Sequence, residues 1–281
     1  MQVIIKDVEY SRPDKFTIYP IGDIHCGVVH CDEDLLTKQV KEIQQNHNAY
    51  WLGMGDYADL VTPSDFKRWE GKILSPWMKG QEDNIGPTQL RHINSILSPI
   101  WGKCLGLIEG NHDENIRRYH HYNFIHELLI EANKKYEVPY AGVQCLLILR
   151  FNRKNSSESH EYIIHARHGE GAARTSGARA LAVLRLAGTF VNAHITFMGH
   201  LHGQESPDIP QRLIYRAGKI KSFETIAVMT GAWLKGYMQN VPPCYIERWG
   251  CTPSVLGCPH ITIEPDDDVM ELVKSRRVTK M

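Results

Sequence analysis

The stretch CLGLIEGNHD, Cys104 to Asp113, decides how this chain is read. Cys104, Leu105, Leu107 and Ile108 form a short apolar run with the length of a buried strand, and Gly110 stops it. Asn111, His112 and Asp113 follow at once, all with metal-compatible atoms. Four other places repeat the arrangement. Phe16 to Ile21 ends at Gly22 before Asp23-Ile24-His25, and Trp51 to Met54 leads into Gly55-Asp56-Tyr57-Ala58-Asp59. Ile163 and Ile164 precede His168-Gly169, and Ile195 to Met198 precede Gly199-His200-Leu201-His202. The recurring glycine permits the tight turn that aims the next side chain.

Between these runs the spacing predicts helices. Asp32 can cap one that carries Leu36, Val40 and Ile43; others fit residues 88–97, 113–135 and 176–190, the last with Ala180, Leu181, Leu184 and Ala187 on one face. Short β-like runs close the chain at 213–215, 226–229 and 260–263. Strands with helical crossovers, then more strands, give an α/β layered domain with a partly mixed sheet. In such sheets the loops after the strands' carboxyl ends converge on one crevice, so ligands far apart in sequence can meet there.

Composition narrows the class. The 281 residues suffice for one large domain; 42% are hydrophobic and 23% charged, the balance of a soluble globular protein. No apolar run approaches membrane-spanning length and no secretory leader is visible, so the expected location is cytoplasmic, without a membrane. Lys plus Arg and Asp plus Glu number 32 each, so there is no global basic field for duplex nucleic acid, and any such contact must be local. Seven cysteines without a C-x-x-C pair fit neither a disulfide framework nor a zinc knuckle. The 15 histidines are an excess, and imidazole is the commonest metal ligand.

The five blocks, D-x-H, G-D-x-x-D, G-N-H-D, H-G and G-H-x-H, in this order from Asp23 to His202, resemble the calcineurin-like metallophosphoesterase superfamily. The resemblance implies an α/β fold in which a two-sheet β-sandwich is flanked by helices, with two divalent metal ions at the strand ends. One ion would be held by Asp23, His25, Asp56 and His202, the other by Asp56, Asn111, His168 and His200. His112 would sit by the leaving-group oxygen, and Asp59 would orient it. The implied activity is phosphoester hydrolysis by attack of a metal-bridging hydroxide. Carboxylate, amide and imidazole donors without thiolate suit Mn²⁺, the first expectation, or Fe, Ni²⁺, Co²⁺ or Zn²⁺, better than Ca²⁺ or Mg²⁺.

Within that resemblance, Leu60 and Val61 after Asp59, together with His202, disfavour a protein phosphatase and favour a phosphodiesterase, including nucleases. Thr230 to Tyr237 resembles phosphoesterases of phages and other mobile elements, which points to a nucleotide, DNA or RNA substrate. The alternatives are a phosphomonoesterase and a non-catalytic scaffold. Arg117, Arg118 and Arg174 are candidate substrate contacts; Tyr57, Trp69 and Trp77 are candidate stacking rings. The reading is a single domain over residues 1–281, with an inserted cap at 62–100 and a β-rich part at 205–281. His165, three residues before His168, is expected to face away from the site.

Overall fold

In the computed structural model, which describes residues 1–209, 212–216 and 218–274, the site-bearing strands lie at the middle of two sheets. The first half of the chain forms β1 (Gln2–Tyr10), β2 (Phe16–Ile21), α1 (Glu33–Gln45), β3 (Ala49–Gly53), α2 (Ile85–Leu97), β4 (Cys104–Ile108), α3 (Asn111–His120), α4 (Phe124–Asn133) and β5 (Tyr140–Gly142). The second forms β6 (Gln144–Arg153), β7 (Ser159–Arg167), α5 (Ser176–Ala187), β8 (Ile195–Met198), β9 (Arg212–Arg216), β10 (Lys219–Phe223), β11 (Ile226–Met229), α6 (Tyr245–Arg248), β12 (His260–Glu264) and β13 (Val269–Val273).

One sheet has the order β13-β12-β2-β3-β4-β5 and the other β1-β6-β7-β8-β11; β9 and β10 make a separate hairpin. Both sheets are mixed. β2, β3, β4 and β5 run parallel, as do β7, β8 and β11, so the carboxyl ends that carry the five blocks share an edge within each sheet. The sheets pack face to face through Ile18, Leu52, Leu105, Leu147, Phe151, Ile164, Phe197 and Ile261, while α1, α2 and α4 cover one outer face and α5 the other. The fold is therefore the expected two-sheet α/β sandwich flanked by helices. β2 is buried along its whole length because both edges are paired and both faces covered.

Asp32 caps α1 by accepting from the Leu35 N–H, and Leu36, Val40 and Ile43 are buried as their spacing predicts. Two expectations are corrected. The helix over 113–135 is two helices, because His121 takes a left-handed φ of 55° and Asn123 starts α4 by accepting from the His126 N–H. The buried face of α5 is Arg179, Val183, Leu186 and Ala187, and Leu181 is exposed. Alanine and leucine surround that helix, so its apolar stripe is broad and the docking on β8 and β11 selects the face. In the 62–100 stretch, residues 62–84 form turns and short 3₁₀ segments, whereas α2 packs Leu90, Ile93 and Leu97 into the core. In the C-terminal part, β11 and β12 join the two main sheets.

Candidate metal centre

The five turns meet. Asp23 and His25 follow β2, Asp56 follows β3, Asn111 opens α3 after β4, His168 follows β7, and His200 and His202 follow β8. Asp23, His25 and His202 offer ligand atoms within 4.8 Å of one another, and so do Asp56, His168 and His200. In the first group His202 Nε2 lies 3.3 Å from Asp23 Oδ1 and 3.1 Å from His25 Nε2. In the second, Asn111 Oδ1 lies 3.1 Å from His168 Nε2 and 2.8 Å from His200 Nδ1. Asp56 Oδ2 faces both groups, 3.3 Å from His168 Nε2 and 4.0 Å from His25 Nε2. Sequence placed these seven residues in one centre, and the structure brings all seven together.

Hydrogen bonds fix which imidazole nitrogen faces inward. His168 Nδ1 donates to the Met54 carbonyl at 2.7 Å and His200 Nε2 to the Gly171 carbonyl at 3.0 Å, which turns His168 Nε2 and His200 Nδ1 toward Asp56 and Asn111. The Asn111 amide has two orientations. With its nitrogen inward it donates to both rings; with its oxygen inward it accepts from ring N–H groups or, where those nitrogens are unprotonated, joins them as a donor set for a cation.

The turns themselves are strained. Asp23, His25, Asp56, His200 and His202 all have φ between 49° and 69°, the left-handed region that costs an L-residue about 1–2 kcal/mol. Gly110 is needed for close approach: a Cβ there would lie 2.1 Å from Asp56 Oδ1. Asp113 ties two of the turns, its Oδ2 accepting from the Gly110 N–H at 2.8 Å and the Asp56 N–H at 2.9 Å.

Burial alone would raise the Asp23 and Asp56 carboxyls; the charges of His202 beside Asp23 and of His168 beside Asp56 overcome it and hold both below the ordinary range. The His168 imidazole, which burial would depress, is carried up to about 10 by Asp56. Burial, then the Asp56 charge, push Asp113 up to about 8. Burial lowers His25 and His200.

His112 is buried beside these groups, its ring edge-on to His25 at 4.7 Å and its N–H donating to Asp56 Oδ1 at 2.8 Å. Its Nδ1 bonds the backbone carbonyl of Asp59. The Asp59 carboxylate faces His25 Nδ1 at 3.8 Å, so Asp59 reaches His112 through its main chain and His25 through its side chain. His165 faces away, as expected, packed on Phe190 at 4.7 Å.

The arginines sort differently from expectation. Arg117 is held by Glu109 at 3.0 Å and Arg118 by Glu114 at 3.5 Å, and neither lines the cavities at the centre. Arg174 does, with Arg68 and Arg179. Tyr57 is buried, donating to the Ile108 carbonyl, and Trp77 stacks on His92, so neither ring is free to stack on a base; Trp69, partly buried, packs on a small apolar cluster. Sequence reading missed Tyr245, whose hydroxyl is 2.9 Å from His202 Nε2 and 3.4 Å from His25 Nε2. The Thr230 to Tyr237 stretch supports the centre: the Trp233 N–H donates to the Asp23 carbonyl at 3.0 Å.

Two cavities open here, of about 240 and 860 Å³, and Arg68, His112, Tyr245 and Trp249 line both. No helix among the described residues is long and apolar enough to cross a membrane.

No protein-family model matches the sequence, and no curated protein matches it. Among solved structures, a conserved predicted phosphoesterase of Streptococcus pneumoniae is 12% identical with a TM-score of 0.37, over 92% of this chain and 88% of that one. Vps29 of Entamoeba histolytica complexed with Zn²⁺ is 13% identical with a TM-score of 0.37, over 92% and 90%. Vacuolar Protein Sorting 29 of Cryptosporidium parvum is 14% identical with a TM-score of 0.34, over 93% and 97%. Likeness at this level carries no chemistry, which rests on the geometry above.

Proposed function

We propose that the chain is a dinuclear-metal phosphoester hydrolase that acts on diesters of a nucleotide or nucleic acid. The observation that carries this is the single Asp56 oxygen facing two separate ligand groups, Asp23, His25 and His202 on one side and Asn111, His168 and His200 on the other. The donor set suits Mn²⁺ first, with Fe, Ni²⁺, Co²⁺ or Zn²⁺ as the other fits. When bound, a metal pair clamps phosphoryl oxygens and makes water a nucleophile near neutral pH. The chain's own residues do the rest. Asp56 and Asn111 set the spacing of the two groups; His168 and His200 are oriented by backbone carbonyls. His112, hydrogen-bonded at Nδ1, presents Nε2 as the donor to a leaving oxygen.

Support for a diester comes from the two cavities that His112 lines, which together give room for a group on each ester oxygen. Phe66, 92% exposed, lies with Tyr119 and Trp249 around the larger one, beside Lys67, Arg68 and Arg248. Exposed rings interleaved with cations suit single-stranded bases and their phosphates.

The test is turnover of a nitrophenyl diester and the matching monoester by metal-stripped protein, with Mn²⁺, Ni²⁺, Zn²⁺ and Mg²⁺ restored separately. The diester should be preferred, with single-stranded DNA and RNA tried next. A monoester preference would put a phosphatase first, and no turnover with any metal on either ester or nucleic acid would favour a scaffold.

A further inference from the structure

One residue beyond His25, the fully buried Cys26 points its thiol at Glu33, with Sγ 3.7 Å from Oε1. Glu33 opens α1, and its other oxygen is 2.8 Å from Nε2 of His92 on α2. Sulfur, oxygen and nitrogen all lie within 4.8 Å of one another. Tetrahedral zinc, with its sulfur at about 2.3 Å and nitrogen or oxygen at about 2.0–2.2 Å, sets ligand atoms roughly 3.3–3.6 Å apart. The separations of 3.7 and 2.8 Å run to different Glu33 oxygens, so a carboxylate rotation of this partly exposed side chain would bring one oxygen into that span from both partners.

Trp77 holds this cluster in place. Its Nε1–H donates to Glu33 Oε1 at 3.2 Å, and its ring stacks on His92 at 3.9 Å between centroids, tilted 15°. Such outer support orients metal ligands. The His92 and Glu33 side chains are 30% and 28% exposed, so an ion can enter from solvent and keep a water in its fourth position.

We infer that Cys26, Glu33 and His92 form a further cation site of the zinc class, apart from the His/Asp groups. Without an ion the thiol donates to Glu33 Oε1 and His92 pairs with Oε2; an ion would replace both contacts with the same three side chains as ligands. Thiolate with imidazole and carboxylate selects Zn²⁺ or Co²⁺ over Mn²⁺ or Mg²⁺. The bound ion ties the turn after β2, the start of α1 and the middle of α2, and thereby steadies the turn that carries His25.

The test is titration of the metal-free full chain with Co²⁺, read by the near-ultraviolet thiolate-to-cobalt charge-transfer band. The His/Asp groups contain no sulfur, so the band reports this site whether or not the protein hydrolyses phosphoesters. It should saturate in the native chain, vanish in Cys26→Ser and persist in Cys31→Ser. Because Cys26 is buried, His92→Ala on the partly exposed side gives a second reading. It should weaken Co²⁺ binding at the band by more than the roughly 10–100-fold that loss of an outer-shell partner costs. No band in the native chain, a band retained in Cys26→Ser, or unchanged affinity in His92→Ala would each overturn the inference.

Discussion

Replacing Gly110 with alanine tests whether the Asp56 carboxylate must stand where it does. The backbone at 110 has φ −93° and ψ 176°, which alanine adopts freely, so the added methyl acts by contact alone. That Cβ would lie 2.1 Å from Asp56 Oδ1 and 2.4 Å from Asp56 N, whereas real Cβ contacts essentially never fall under 3.0 Å. The carboxylate and the turn that carries it must therefore move by about 0.9 Å. Oδ1 is the acceptor for the His112 N–H and Oδ2 faces both ligand groups, so one displacement disturbs the bridge and the candidate donor together.

A misplacement of about 1 Å costs on the order of 10²-fold in rate where groups are held for reaction. Overpacking costs the fold only about 1–3 kcal/mol, which a domain of this size survives. Gly110→Ala should thus stay folded by circular dichroism, lose about two orders of magnitude in kcat/KM on the preferred nitrophenyl ester, and bind less metal by elemental analysis. Gly177→Ala, whose Cβ would meet nothing within 4 Å, should change none of these and serves as the control. Native turnover and full metal content in Gly110→Ala would refute the bridging role given to Asp56.

Other outcomes follow from the same geometry. His112→Ala should keep its metal content and lose turnover by the roughly 10²–10⁴-fold that general acid catalysis contributes; equal losses of both would make His112 structural. His165 is buried without a hydrogen-bond partner for either nitrogen, and burial, aided by Arg167, lowers it to about 4. Its folded-state value lies below the unfolded one, so the unfolded chain takes up protons first and stability falls as pH drops from 6.5 toward 4. His165→Leu should therefore lessen the loss of unfolding free energy between pH 7 and 5 by about 2 kcal/mol in urea titrations, and an unchanged difference would sink the account. Arg179, buried, holds Glu205 at 2.7 Å, so Arg179→Met should cost about 3–5 kcal/mol by stranding that carboxylate, and Arg179→Met with Glu205→Leu should recover much of it in thermal melts.

What was legible in the sequence was what local chemistry writes there. Apolar runs stopped by glycine marked the carboxyl ends of β2, β3, β4, β7 and β8, because a strand buried on both faces needs uninterrupted apolar residues and its turn needs a glycine. β1 was not read as a strand, since Lys6, Asp7 and Glu9 interrupt an edge strand that is mostly exposed. The pairing of β12 with β2 joins residues more than 200 apart, and no local pattern encodes it. The resemblance gave Asp59 as the residue that orients His112, but it is the Asp59 main-chain carbonyl that meets His112, while the carboxylate faces His25. Tyr245 stands on a four-residue helix 43 positions after His202, with no motif around it, and only the folded chain brings it to His202 and His25.

The ligand residues and the backbone strain meet at the same turns. Aspartate and histidine after a strand are ordinary as turn residues, and nothing in their identity requires a left-handed φ. Five of the seven candidate ligands nevertheless adopt it, at a summed cost of roughly 5–10 kcal/mol, comparable with the whole stability of a typical domain. Extended turns would be cheaper for these residues, but would not aim Asp23 with His25, or His200 with His202, at the same space. Packing of the two sheets supplies the compensation, because each strained turn caps a fully buried strand end whose position the core fixes. Left-handed φ also occurs away from the seven candidate ligands, at Leu60, His121, Asn155, Tyr237, Asn240 and Asp268, so the conformation by itself does not mark a ligand. What distinguishes the five positions at the centre is convergence: each carries an aspartate or histidine side chain into one of two groups whose ligand atoms lie within 4.8 Å of one another, an observation that does not depend on resemblance to any family.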